Sequence, residues 1–307
     1  MRMACKALAK ALEETFGARR VLHGEPMAAH TTFGVGGPAE LFFEPADVGE
    51  VQAAIAAARA ANVPWQVLGC GSNILVADAG LAGLCIHLGE AFAQVSVRGT
   101  QVTAQAGATN AQVAEAACAA GLSGYEFASG IPGSIGGAAI MNAGAYDGEF
   151  KDVCSSVSCL TLEGEVVEVG AQQAAWRYRH SMMADAGWVV LGATLQLVPY
   201  DATAIRARMD ELAAARAAKQ PLELGSAGST FKRPVGHYAG KLIHDAGMQG
   251  HTVGGAQVST KHAGFVVNHD HATAADVRAV IRDVQDAVFG DAGVLLEPEV
   301  RMWGFDD

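Results

Sequence analysis

What this sequence lacks narrows it first. No stretch of its 307 residues is long and apolar enough to span a bilayer. The longest uncharged run lies between Glu126 and Asp147 and is broken by Gly130, Pro132, Gly133, Gly136, Gly137 and Asn142, which is loop chemistry. The opening MRMACKALAKALEETF carries charges throughout and has no unbroken apolar core, so it does not read as an export signal and the expected compartment is the cytoplasm. The six cysteines (Cys5, Cys70, Cys85, Cys118, Cys154 and Cys159) include no C-x-x-C pair, so they are expected to be reduced, mostly buried thiols. Positive charge is scarce: 21 Lys+Arg stand against 32 Asp+Glu, a net charge of −11. That balance argues against a nucleic-acid or membrane-surface partner, while leaving room for a local basic pocket that takes a small anion. There is no G-x-x-x-x-G-K-[ST], which excludes an NTPase P-loop. There is also no G-x-S-x-G elbow, and the 10 histidines form no H-E-x-x-H or H-x-x-x-H, so no metal site is expected.

What is present is a chain long enough for two or three modules and apolar enough, at 50% hydrophobic residues, to bury a core without staples. Apolar spacing at i, i+3 and i+4 predicts helices over 4–16, 47–61, 110–120, 202–219 and 273–289, the last with Thr273 as N-cap. Strands are predicted at 65–68, from Ile74, at 93–98, 101–106, 153–160, 164–169 and 188–199, and finally at 294–302. Strands cluster in the middle with helices on both sides, which reads as α+β.

The 37 glycines exceed the roughly 21 expected for this length, and they bunch in TTFGVGGPAE (31–40), VLGCGSNILV (67–76) and SGIPGSIGGAAIMNAGAY (129–146). Gly34 to Ala39 spells G-x-G-x-x-A, but no strand signal precedes it and Pro38 would fall in the opening helical turn, so a Rossmann site is rejected. Glycine-rich turns can instead present consecutive backbone N–H groups to an anion, a nest suited to a diphosphate. Later in the chain stand Tyr178-Arg179-His180-Ser181, Gly228-Ser229-Thr230-Phe231-Lys232, and Leu296-Glu297-Pro298-Glu299-Val300-Arg301. By spacing alone these read as a surface charge, a turn hydroxyl and a solvated strand face. His269-x-His271 reads as loop.

Taken together and in order, TTFGVGGPAE, VLGCGSNILV, GIPGSIGGAAIMNAGAY, YRHS, GSTFKRP, AGKLIHDAG, QVSTKHAGFVVN and LEPEV resemble the UDP-N-acetylenolpyruvoylglucosamine reductase family from about residue 25 to 304. With only MMADAG between Ser181 and the next strand, the chain is similar to that family's second type, which lacks the tyrosine-loop insertion. The resemblance implies a vanillyl-alcohol-oxidase-type FAD-binding fold. Residues 1–88 with 295–307 would form one FAD-binding subdomain, 89–204 a second, and 205–294 a substrate-binding domain.

The resemblance further implies non-covalent FAD, NADPH as hydride donor, and a UDP-sugar enolpyruvyl ether as substrate in peptidoglycan synthesis. Oligomeric state is left open, and a monomer is compatible. Leu68, Gly69, Cys70, Gly71, Ser72, Asn73 and Ile74 would cradle the FAD diphosphate together with Ser129, Gly130, Pro132, Gly133, Ser134, Gly136, Gly137 and Ala138. Asn142, Gly144, Ala145 and Tyr146 would lie along the flavin and the substrate entrance. Hydride would reach C3 of the enol ether from the reduced flavin. Arg179 and Glu299 would bind the enolate charge, Glu299 being protonated or paired with Arg179, and Ser229 would deliver the proton to C2. Lys232, Arg233, Gln257, Lys261 and Arg301 are the candidates for holding the sugar nucleotide. Cys70, Arg233, Asp147 and His244 depart from the family pattern: Cys70 requires a turn that tolerates a Cβ, and Arg233 stands where an asparagine is usual. Two other readings remain, a flavin oxidase or dehydrogenase of the same fold and a non-catalytic nucleotide-binding module.

Overall fold

The computed structural model describes residues 3–305. Its helices are α1 (Met3–Phe16), α2 (Val48–Ala60), α3 (Asn110–Ala119), α4 (Ile135–Met141), α5 (Met182–Ala186), α6 (Ala202–Lys219), α7 (Ala239–Asp245) and α8 (Ala274–Ala292). Capping chemistry sets several starts. Asp47 accepts the Glu50 N–H ahead of α2, and Thr109 with Gln112 and Thr273 with Asp276 form reciprocal capping boxes ahead of α3 and α8.

The chain divides into two compact units. The first takes the segment ending at Leu22, Phe42–Cys70 and Leu84–Arg216; the second takes His23–Leu41, Gly71–Gly83 and the chain from Ala217 onward. At the centre of the first unit is an antiparallel sheet ordered Val166–Gly170, Cys154–Leu160, Val189–Gln196, Gln101–Gln105, Val95–Arg98. Alternation buries Val157 and Cys159 on one strand and Val102 and Ala104 on another. Helix α4 packs on Val189–Gln196, the middle strand. Elsewhere in this unit Trp65–Leu68 runs parallel to Leu84–His87, with Trp65 opposite Leu84.

In the second unit Ile74–Val76 pairs parallel with Arg301–Trp303, and Ala256–Val258 lies between Thr252–Val253 and Val266–Asn268. Helix α8 supplies Val277, Val280, Ile281, Val284 and Val288, spaced three or four apart, to a core with Val258, Val266, Leu296 and Val300. Each such side chain contributes about 1.5–3 kcal/mol.

Three expectations need correction. Residues 129–146 are not all loop: α4 lies within them, as does Gly144–Ala145, which pairs with Gly148–Glu149 just beyond. The strand expected at 294–302 shrinks to Arg301–Trp303, because Pro298 has no N–H to give a ladder and 297–299 pair with a loop instead. Helices α5 and α7, and strands Val21–Pro26, Pro38–Phe43 and Leu81–His87, have no counterpart in the periodicity reading. Pro38 opens a strand rather than a helix, in keeping with the rejected Rossmann turn. Among the described residues no helix is long and apolar enough to cross a membrane, and no group of three His, Cys, Asp or Glu is arranged to hold a metal.

Candidate active site

In the first unit two of the glycine-rich segments meet. Strand Trp65–Leu68 ends at Gly69, where a Cβ would fall 2.3 Å from Ser134 Oγ. A side chain at 69 would therefore displace the Ser134 hydroxyl. Ser134 is 3% exposed, yet its hydroxyl does not cap α4. The turn before it is fixed from behind: Asn110 donates its N–H to Gly133 O (3.1 Å) and its Nδ2 to Ile131 O (3.2 Å), and buried Tyr125 donates its hydroxyl to Asn110 Oδ1 (2.8 Å). Ile135 N–H and Gly136 N–H are spent on Ala108 O and Ala106 O. Bare, rigidly held backbone of this kind fits a diphosphate-bearing cofactor, which needs close approach without side chains in the way.

Across the same loop, in the second unit, Gly71 has φ +60°, and a Cβ on it would lie 1.9 Å from His30 O. That position must be glycine. Cys70 is not among the positive-φ residues, so the turn accepts its Cβ. Burial pushes the Cys70 thiol above its ordinary pKa, which keeps it protonated.

Helix α4 ends at Asn142, which has left-handed φ (43°) and is fully buried. Its amide gives two hydrogen bonds, to Glu149 Oε2 (3.2 Å) and Arg177 O (3.3 Å), and accepts one from Lys151 N–H (3.0 Å). The second of these steadies a tight turn in which Arg177 and His180 exchange backbone hydrogen bonds. Arg179 sits in that turn at φ +54°, an unusual conformation for a side chain of this size. Its guanidinium donates to Gly144 O (3.4 Å) and lies 4.9 Å from the Tyr178 ring centre. Buried Ser181 caps α5 and donates to Ile140 O, tying the YRHS segment to α4. The structure thus brings Arg179 to the hairpin of Gly144 and Ala145. At the tip of that hairpin Tyr146 (φ 51°) and Asp147 (φ 65°) both occupy left-handed space, as a two-residue hairpin turn requires.

In the second unit Ser229 and Glu299 are brought together. Fully buried Thr230 donates its N–H to Gly264 O (2.9 Å) and accepts the Glu299 N–H (2.8 Å), while Lys232 N–H reaches Glu297 O (2.9 Å). This pairing leaves Ser229 exposed beside half-buried Glu299. Asn73 Nδ2 donates to Glu299 O (3.2 Å) and Asn73 O accepts the Arg301 N–H (3.0 Å). Among the substrate candidates, Lys232 pairs with Glu297. Lys261 donates to Ala217 O (2.8 Å) and lies 3.7 Å from Glu223. Gln257 donates to Thr252 Oγ1 (3.1 Å), and Arg233 stacks 4.0 Å from the Tyr238 ring centre. Two polar groups that spacing did not flag are half-buried Arg216 and Gln220, whose Oε1 is buried without a partner. No sequence signal marks either, since both sit at the end of an ordinary amphipathic helix.

Comparison with known proteins matches two regions of the chain. A family model described as an FAD binding domain matches residues 39–170, and one described as the C-terminal domain of UDP-N-acetylenolpyruvoylglucosamine reductase matches 220–303. The curated UDP-N-acetylenolpyruvoylglucosamine reductase of Agathobacter rectalis is 48% identical over 307 residues, covering 96% of this chain and 98% of the relative. The chain belongs to the UDP-N-acetylenolpyruvoylglucosamine reductase family. A second relative among these reductases, from Levilactobacillus brevis, is 49% identical over 289 residues, covering 94% of this chain and 95% of its own. The crystal structure of the Thermus caldophilus reductase superposes with a TM-score of 0.79 at 34% identity, over 92% of this chain and 98% of that one. The 4-ethylphenol oxidase of Gulosibacter chungangensis, at 16% identity and TM-score 0.50 over 65% of this chain and 43% of its own, shares the fold alone. The reductase fold here is therefore α+β of the vanillyl-alcohol-oxidase type.

Proposed function

We propose that this chain is an FAD-dependent oxidoreductase that uses NADPH to reduce UDP-N-acetylglucosamine enolpyruvate to UDP-N-acetylmuramate in peptidoglycan synthesis. The observation that carries the reading is the contact of Gly69 with Ser134, which joins two glycine-rich turns into one bare-backbone surface. FAD, when bound, would supply the hydride chemistry that couples NADPH to C3 of the enol ether. Leu68 to Ile74 and Ser129 to Ala138 hold its diphosphate, and Asn142 to Tyr146 border its ring. The division into two FAD-binding subdomains and a substrate-binding domain belongs to the same proposal.

Arg179 contributes a fixed positive charge where the substrate's carboxylate and C2 become electron-rich. A cation held in a strained turn needs no reorganisation as that charge builds. Glu299, in its protonated form, donates to the same oxygens; ionised, it would repel them. Ser229 gives its hydroxyl proton to C2, completing addition of hydride and proton across the double bond. A serine performs this only beside a strongly basic carbon in a site shielded from bulk water. Lys232, Arg233, Gln257, Lys261 and Arg301 hold the sugar nucleotide.

The purified protein is expected to be yellow with oxidised-flavin absorbance, and to turn over NADPH beyond one equivalent per flavin only when the enolpyruvyl sugar nucleotide is added. A colourless protein that cannot be reconstituted with FAD would overturn this reading. A yellow protein that reoxidises with O2 and ignores the sugar nucleotide would turn it into an oxidase.

A further inference from the structure

The turn that carries Arg179 is fastened to helix α4 by three hydrogen bonds. Trp176 donates its indole N–H to Ala139 O (2.8 Å), Ser181 its hydroxyl to Ile140 O (2.8 Å), and Asn142 its amide to Arg177 O (3.3 Å). Between these anchors Arg177 and His180 exchange backbone N–H···O bonds of 3.1 and 3.2 Å, so Tyr178 and Arg179 are the two central residues. Of this pair only Arg179 has positive φ, which is the place in a type II turn that glycine normally takes. A large side chain is held there against its preference, and its own bond to Gly144 O is long at 3.4 Å. A second set of contacts, to α5, is made by half-buried His180. Its Nε2 lies 2.8 Å from Asp185 Oδ2 on that helix and 2.8 Å from Arg177 Nη2 at the start of the turn. Arg177 Nη2 and Asp185 Oδ2 are themselves 3.8 Å apart. The one ring atom can donate to the carboxylate or accept from the guanidinium, so it keeps a partner with or without its proton.

We propose that His180, braced by Asp185 and Arg177, is a positioning residue for Arg179: it pins the end of the turn so that the strained backbone presents the guanidinium at one place beside the Gly144 hairpin. The inference rests on the role given to Arg179 above and deepens it. Arg177 and Asp185 are both exposed, and ion pairs of that kind add little stability. Removing the imidazole therefore acts on where the turn sits more than on whether the chain folds. A cation moved slightly away from developing charge loses much of its effect, because stabilisation there depends on geometry set in advance.

The test is a double-mutant cycle on the full-length holoenzyme with Arg179→Ala, His180→Ala and the two combined. The readout is reoxidation of the NADPH-reduced flavin by saturating enolpyruvyl UDP-sugar in single-turnover stopped flow. His180→Ala is expected to slow that step about 10- to 100-fold. In the Arg179→Ala background the same change should cost less than about twofold, because a residue acting through Arg179 has nothing left to position. His180→Gln, whose amide can also donate to Asp185 or accept from Arg177, should recover most of the rate. A wild-type reoxidation rate in His180→Ala would overturn the proposal. So would an equal loss in the two backgrounds, which is the signature of a structural role that does not pass through Arg179. If His180→Ala does not fold, Asp185→Ala removes the carboxylate brace instead and is carried through the same cycle, with the same two outcomes counting against the idea. Unchanged reoxidation in Arg179→Ala alone defeats the reading of the site, whereas a slow Arg179→Ala beside a fast His180→Ala defeats only the role of His180.

Discussion

Ser229 is exposed while its neighbour Thr230 is fully buried, and the two side chains have separate tasks. The Thr230 hydroxyl accepts the Val266 N–H (2.9 Å), and its backbone holds the Glu299 and Gly264 segments, so Thr230 fixes the place from which Ser229 acts. Ser229→Ala should therefore leave folding and flavin reduction by NADPH near normal. Reoxidation of the reduced enzyme by the enolpyruvyl substrate should slow by about 10²- to 10⁴-fold, the usual span for loss of a positioned proton donor. Stopped-flow measurement of the two half-reactions decides it, and equal rates in both would remove Ser229 from the chemistry. These residues are legible in the sequence through the family resemblance of GSTF, LEPEV and YRHS, since spacing alone reads them as ordinary surface and turn groups. What could not be read was the pairing of 230–232 with 297–299 that sets Ser229 beside Glu299, since such long-range register leaves no mark on local periodicity. Arg216 was invisible for a similar reason: only the tertiary structure sets it against Gly130.

At the scale of elements, the hairpin Gly144–Ala145/Gly148–Glu149 turns through Tyr146 and Asp147, both at positive φ. Aspartate tolerates that region better than most residues but still at some strain. Asp147→Gly should stabilise the protein by up to about 1 kcal/mol in denaturant titration, the strain relief exceeding the entropy that glycine adds to the unfolded chain. A decrease in stability would show that the Asp147 side chain is doing something the turn geometry does not reveal. Helix α8 supplies a second case. Its first N–H groups are all used: Ala274 and Ala275 donate to Asp78, Asp276 to Thr273 Oγ1, and Val277 to Thr273 O. Asp276 in turn accepts from the Thr273 and Gly255 N–H groups, and the first of these bonds is the main reason its pKa lies below the usual aspartate value. A carboxylate with a depressed folded pKa stabilises above its unfolded pKa, about 4, and that stabilisation fades as pH falls through the folded value. Acid titration of stability should accordingly show a smaller loss below about pH 4 in Asp276→Asn than in the wild type; equal losses would remove Asp276 from the pH dependence. The Thr273 cap was legible from its position before an apolar run. Helix α4 was not, because Gly136 and Gly137 carry low helix propensity, and the helix is held by its packing on the strand Val189–Gln196.

For the molecule as a whole, the scattered cysteines give a reading of integrity. None of the six is in a disulfide; Cys5, Cys85, Cys118, Cys154 and Cys159 are buried and Cys70 is half-buried. Burial pushes Cys85, Cys154 and Cys159 up to about 12, so at pH 8 they carry almost no reactive thiolate. A chromogenic disulfide reagent should label Cys70 slowly in the native protein and the other five only on unfolding. Added FAD should protect Cys70 if that turn holds the cofactor. Fast labelling of several thiols in the absence of denaturant would contradict the packing described.

The interleaving of the two units has a consequence for biosynthesis. Among the described residues strand Ile74–Val76 pairs with Arg301–Trp303 alone, so for more than two hundred residues of translation one edge waits for its mate. A change that removes Arg301–Trp303 should therefore damage the protein far more than the loss of three residues would suggest. It would strip the ladder beside Asn73 and Glu299 and expose a hydrophobic edge to chaperones and proteases.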